Sequence, residues 1–316
     1  MKQIIELLLQ QSIRGDSIGN NLAKTEYYDH IASECVCCGD KHLMRSPAIL
    51  MPFISHRVYN WEPALIDNNW GLQTIPLGHA YALCNSLLCS KCGLLFLDIR
   101  FSGLEMARLY KNYRDDTYTT LREQYEPGYR VRNEGLIQGV NYLQEVEAFL
   151  RPYLPNTLRV LDWGGDSGIN TPFKEGEDNE IHIYDISGIE ANEKYRKVSI
   201  ETAKYFNYDL IVCSNVLEHI PYPSQMLSEI KTMMSDSSIL YIEVPLENHV
   251  KEFSDTRLLL EKKRHWHEHI NFFSENALRM LVFNLGFEML SFEIKIFKQN
   301  NKLYNIFMLA CRLQKI

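Results

Sequence analysis

The sequence predicts an α/β protein in two parts: a small cysteine-rich front domain, then a mostly parallel sheet closed by an antiparallel C-terminal hairpin. Three observations carry this reading. Six of the eight cysteines fall between Cys35 and Cys92. Beyond residue 150, short apolar runs alternate with helical stretches, the pattern of buried parallel strands covered by crossover helices. The last two apolar runs are separated only by the polar KQNNK, as in a hairpin. With 316 residues at 46% hydrophobic content, the chain can build a core for each part. A disordered tail and a small disulfide-stapled domain are excluded.

Taken in order, MKQIIELLLQQSI has apolar residues at 4, 5, 7, 8, 9 and 13, interrupted by Glu6 and followed by no small-residue cleavage site. It predicts a short amphipathic helix, not a signal peptide. The front domain is set at 1–120 and the second at 121–316. Between them runs the polar REQYEPGYRVRNEG, broken by Pro127, Gly128 and Gly135. GLEMARLYKNY, just before that boundary, reads as a helix. Beyond it, a helix is expected over Gly135 to Leu150 and a strand over LRVLD at 158–162. Further strands follow at EIHIYD (180–185), KVSIE (197–201) and DLIVCSN (209–215). A helix begins near Pro223, SSILYIEVP (237–245) is another strand, and Ser274 caps the helix before the hairpin.

The charge balance, 33 basic against 40 acidic side chains, gives a net charge of −7, which disfavours a nucleic-acid partner. No apolar run reaches the roughly 18–20 residues that cross a bilayer. Eight cysteines without an export signal imply reduced thiols or metal ligands, and the expected compartment is the cytoplasm. Cys35 with Cys38, and Cys89 with Cys92, form two C-x-x-C pairs, each followed by a glycine, Gly39 or Gly93. Such knuckles suit tetrahedral Zn2+, and four thiolates leave no open position, so the metal is expected to be structural. Cys37 is a rival to Cys38 as ligand, and Cys84 is expected in the core.

VLDWGGDSGIN places Asp162, Gly164, Gly165 and Gly168 at a strand end, where glycines let the backbone approach a ligand. A dinucleotide turn needs G-x-G-x-x-G, and that spacing fails here. Asp185, 23 residues after Asp162, closes the next strand and can accept hydrogen bonds from ribose hydroxyls.

The turn resembles the D-x-G-x-G-x-G turn of class I S-adenosylmethionine-dependent methyltransferases, with Asp162, Gly164 and Gly168 matching. Asp166 replaces the middle glycine, and either accepts a bond from the cofactor ammonium or narrows the pocket. YDLIVCSNVLEHIPYP is similar to the fourth-strand segment of the same enzymes, with Asp209, Ile211, Val216, Leu217, Glu218, His219 and Ile220 matching. The resemblance implies a Rossmann-like methyltransferase domain with a seven-stranded sheet and S-adenosylmethionine as cofactor. It further implies that Ser214 and Asn215 face the methionine part of the cofactor.

Some methyltransferases of small hydroxylated molecules or RNA ends hold a divalent ion with an E-x-x-E-H segment. Here Glu218 and His219 match, but Asn215 stands in place of the first carboxylate, so chemistry without such a metal is expected. The cysteine knuckles, ending CSKCGLLFLD ahead of this domain, resemble the zinc-ribbon domain of zinc-binding sugar methyltransferases. Those relatives act mostly at carbon of nucleotide-linked sugars. Their further C-terminal domain is not expected after the hairpin, so either carbon or oxygen methylation is open. The implied acceptor is a sugar, nucleotide-linked or part of a surface glycan. RHWHEHINFF holds the candidates for removing the acceptor proton: His265, His267, Glu268 and His269, the last two matching a Glu-His pair of those relatives. His269 is expected to be the base, with Glu268 orienting it or binding the sugar; His219 is a lesser candidate. Lys262, Lys263 and Arg264 are candidates for meeting a diphosphate, and Tyr125 and Tyr129 for a lid.

Overall fold

A computed structural model describes residues 31–70, 78–253, 255–299 and 302–315. The amphipathic helix expected at the start of the chain lies outside the described residues.

The front part contains β1 (Leu43–Leu50), α1 (Pro52–Tyr59), β2 (Ala64–Ile66), β3 (Gly78–Ala80), β4 (Leu83–Cys89) and β5 (Leu95–Leu97). Three helices follow: α2 (Gly103–Tyr110), α3 (Asp116–Tyr125) and α4 (Tyr129–Ile137). Ser102 and Glu105 close a capping box at the start of α2, where a helix was expected. The second part contains α5 (Leu143–Leu150), β6 (Arg159–Trp163), β7 (Glu180–Tyr184), β8 (Arg196–Lys197) and α6 (Ile200–Ala203). It continues with β9 (Leu210–Ser214), α7 (Pro223–Lys231), β10 (Ile239–Pro245), α8 (Asn248–Glu252) and α9 (Thr256–Lys262). The short β11 (His265–Trp266) and β12 (Asn271–Phe272) precede α10 (Glu275–Asn284) and the hairpin β13 (Phe287–Gln299) and β14 (Lys302–Leu313).

The large sheet has the order β13-β14-β10-β9-β6-β7-β8. β8, β7, β6, β9 and β10 run parallel, whereas β14 is antiparallel to both β10 and β13. Along the central strands successive side chains enter opposite layers: Leu161 and Trp163 join one apolar cluster, and Val160 the other. Helices on both faces cover the near-continuous apolar runs that parallel strands require. Strand order reverses between β6 and β9, and a crevice opens at the carboxyl ends of strands at such a switch point.

Two expectations are corrected. The helix expected from Gly135 to Leu150 is two, because Gly139 adopts φ +80° between α4 and α5. KVSIE gives only the end of β8, because the Ser199 side chain accepts the Thr202 N–H and starts α6 instead.

The front sheet has the order β11-β1-β4-β5-β12. Its two outer strands come from residues 265–272, so the histidine segment is built into the front sheet. One apolar cluster joins Cys35, Cys89, Cys92 and Phe96 to Leu217, Phe273 and Leu278. A second joins Leu50, Phe53, Leu95 and Leu97 to Trp266 and Ile270. The two parts thus share their cores.

Candidate functional site

The carboxyl ends of β6, β7 and β9 meet at a cavity of about 390 Å³, within the range of small-molecule sites. Trp163, Gly164, Asp185, Ile186 and Val216 line one side, and Phe101 and Met106 of the front part line another. Gly164 adopts φ +80°, and a Cβ there would lie 2.6 Å from Val216 Cγ2, so both backbone and space demand glycine. Asp185 Oδ2 accepts the Asp166 N–H at 3.0 Å and Oδ1 accepts the Ser187 N–H at 2.7 Å. Each oxygen keeps a lone pair for a further donor.

The other residues expected around the cofactor divide. Asp162 does not face the cavity. Its carboxyl is buried beneath Gly165, where a Cβ would come within 2.6 Å of it, and it accepts the Thr171 hydroxyl at 2.5 Å. Burial pushes it up to about 7. The unfolded carboxyl ionises near its ordinary value of about 3.9. Stability from this group is therefore complete below that value and is lost as pH rises through 7. Asp162→Asn cannot ionise, and its melting temperature relative to the unaltered protein is expected to rise by several degrees between pH 5 and pH 8. A difference that does not change with pH would refute this account of Asp162.

Asp166 takes φ +54° in the turn, with its carboxylate 3.7 Å from the Arg114 guanidinium. Gly168 faces the Tyr195 ring, which a Cβ would meet at 2.6 Å. Ser214 and Asn215 both donate to Glu243 Oε1, at 3.0 and 2.7 Å, and Tyr142 donates to the same atom at 2.8 Å. Glu243, which sequence reasoning missed, is buried in β10, its other oxygen accepting the Tyr241 hydroxyl at 2.7 Å. A lone carboxylate inside ILYIEVP was the available signal, because a buried charge demands donors.

The histidine segment is in strand conformation at β11 and β12 but not between them, and its side chains part company. His265 is exposed. His267 Nδ1 lies 3.6 Å from Glu126. Glu268 takes both oxygens to Arg122 Nη2, at 2.8 and 2.7 Å, so it does not orient His269. Burial raises the pKa of Glu268, but the Arg122 charge outweighs it and holds the carboxyl down at about 2. Glu247 takes the orienting position, its Oε1 bonding His269 Nδ1 at 2.6 Å.

His269 stacks edge-on against His219, ring centroids 4.6 Å apart. Burial disfavours charge on both rings. It pushes His219 down to about 3, whereas the Glu247 bond and the Glu218 carboxylate prevail at His269 and hold it up at about 9. Glu218 is buried beside them and burial pushes it up to about 7. The Ile270 and Asn271 N–H groups donate to the Glu218 carbonyl at 2.7 and 3.0 Å, clamping the histidine segment over this turn.

The expected basic trio does not form a phosphate seat. Lys263 lies over the Trp266 and Phe272 rings, 4.4 and 4.0 Å from their centroids, while Lys262 and Arg264 are not in the cavity lining. Tyr129 is buried, 4.2 Å beneath the Arg122 guanidinium, and is no lid.

Cys35, Cys38, Cys89 and Cys92 come together, with sulfurs within 4.8 Å of one another. The Cys35–Cys92 and Cys38–Cys89 separations are both 3.5 Å. Four ligands at about 2.3 Å around one zinc ion would sit about 3.8 Å apart, so the set fits with small adjustments. Cys38 completes the set, and Cys37 is buried outside it. Among the described residues, no helix is long and apolar enough to cross a membrane.

Residues 136–291 match a family model described as a methyltransferase domain. A search of the curated proteins found no match. Among solved structures, the chain is similar to a 1,6-didemethyltoxoflavin-N1-methyltransferase from Burkholderia thailandensis at 13% identity. That match covers 72% of this chain and 97% of the other, with a TM-score of 0.47. It is also similar to an S-adenosylmethionine-dependent methyltransferase from Archaeoglobus fulgidus at 21% identity, covering 58% of this chain and 100% of the other, with a TM-score of 0.37.

Proposed function

We propose that this chain, whose residues 136–291 match a methyltransferase-domain model, transfers a methyl group from S-adenosylmethionine to a hydroxylated small molecule, a sugar carried on a nucleotide or in a surface glycan. The observation that carries this is the cavity at the strand-order switch, with Gly164 and Asp185 on one wall and the front part on another.

The residues there suit the cofactor. Gly164 permits close backbone approach, and Asp185 has acceptor capacity left for two ribose hydroxyls. Trp163, Ile186 and Tyr222 supply apolar surface for an adenine ring. The cofactor supplies an already activated methyl group, so the protein has to align the acceptor and manage its proton. We assign that end of the site to Glu218, His219, His269 and Glu247. None of the four is in the cavity lining itself, but Val216 and Ile220, which flank Glu218 and His219 in sequence, are.

The sugar assignment rests on the resemblance of the two-knuckle front domain to that of sugar methyltransferases. We further read the four thiolates as holding one structural zinc ion, which their spacing and the positive φ of Gly39 and Gly93 support. Calorimetric titration with S-adenosylhomocysteine, followed by a screen of nucleotide sugars for a mass gain of one methyl group, tests the function. Binding with turnover on a sugar is expected. Absence of binding overturns the methyltransferase reading, and turnover confined to other small molecules overturns the sugar.

A further inference from the structure

We propose that Glu218, His219 and His269 form a site for one divalent transition-metal cation, whose open positions face the oxygens of a hydroxylated acceptor. One donor atom from each residue lies within 4.8 Å of the others, and Glu218 Oε1 is 3.9 Å from His219 Nε2. Bringing such donors onto one ion takes small side-chain rotations. Glu218 is 1% exposed, and neither of its oxygens has a hydrogen-bond partner. A buried carboxylate without a donor is costly, and a bound cation removes that cost.

The two imidazoles are held as ligating histidines are held. His269 Nδ1 bonds Glu247 Oε1 at 2.6 Å, and His219 Nδ1 bonds the Glu268 carbonyl at 3.0 Å and the Tyr110 hydroxyl at 2.9 Å. Metal-bound histidines ordinarily donate their second ring nitrogen to a carboxylate or carbonyl in this way, which fixes the tautomer and leaves the other nitrogen for the metal. The frame is rigid too. Asn271 Nδ2 donates to the Leu217 and Ile220 carbonyls at 2.8 and 2.7 Å, on either side of Glu218 and His219.

Two imidazoles with one carboxylate suit manganese, iron, cobalt or zinc in the divalent state better than magnesium. Three protein ligands leave positions open. His269 thus supplies a third donor from a distant segment, where Asn215 offers no carboxylate. An acceptor hydroxyl on the cation would ionise more readily, its proton passing to solvent. That role rests on the methyltransferase reading, but the existence of the site does not.

Mn2+ alone is the probe, because the four-thiolate cluster prefers softer ions. Full-length protein, dialysed over a chelating resin, is titrated with Mn2+ and the free-ion signal is read by electron paramagnetic resonance. One Mn2+ per chain is expected, bound at least tenfold more weakly by Glu218→Gln and His219→Gln, while the exposed neighbour variant His265→Gln binds as the unaltered protein does. Glu247→Gln is expected to weaken binding about 10- to 100-fold through the orientation of His269. Failure of the unaltered protein to bind Mn2+, or unchanged affinity in Glu218→Gln, overturns the site. S-adenosylhomocysteine binding in the same samples reports separately on the methyltransferase reading.

Discussion

On the proposal that the four thiolates hold one zinc ion, replacing Cys92 by serine is expected to release it, lower the melting temperature by more than about 10 °C and cut methyl transfer at least 100-fold. Cys92 is buried in the cluster that joins both parts of the molecule. Its carbonyl accepts the Ser274 hydroxyl at 2.8 Å, and Ser274 also caps α10. A serine hydroxyl cannot replace the thiolate, and three remaining thiolates would be left close together in apolar surroundings. The loss would not stay at the knuckle. β5 follows Cys92 directly and pairs with β12, so the segment bearing His269 depends on the same sheet. Metal analysis, thermal melts and turnover on one sample check this. Full zinc loss with unchanged melting and turnover would strip the metal of its structural role.

Asp185→Ala is expected to weaken S-adenosylhomocysteine binding about 100-fold, with little change in melting temperature. The substitution removes a carboxylate whose charge-assisted hydrogen bonds to hydroxyls contribute roughly 1.5–3 kcal/mol each. It also releases the Asp166 and Ser187 N–H groups, loosening the glycine turn. Asp185→Asn keeps one acceptor oxygen and should fall between the two. Calorimetry reads the affinities directly, and an unchanged value in Asp185→Ala would move the ribose seat elsewhere.

Local signals explain what the sequence made legible. Apolar runs such as LIVCS and ILYIEVP mark strands covered on both faces, whereas the order in which they pair is not written in any one of them. The C-x-x-C-G knuckles and the glycine turn carry their geometry within a few residues. What escaped depends on partners far along the chain. β11 and β12 are two residues each, too short for any alternation to show, and exist only because β1 and β5 offer free edges. The partnership of Glu268 with Arg122 spans 146 residues, and that of His269 with Glu247 joins two loops. Neighbouring residues in HEH therefore took different tasks that no local pattern distinguishes.

The interleaving of the front sheet bears on how the chain folds as it is made. β5 emerges from the ribosome long before β12, which pairs with it from residues 271–272. At roughly 5–20 residues per second, about 10–35 s separate them. During that interval the nascent sheet exposes an unpaired border able to join another chain. Metal captured early by the knuckles would hold this half-built layer together until its last strand arrives.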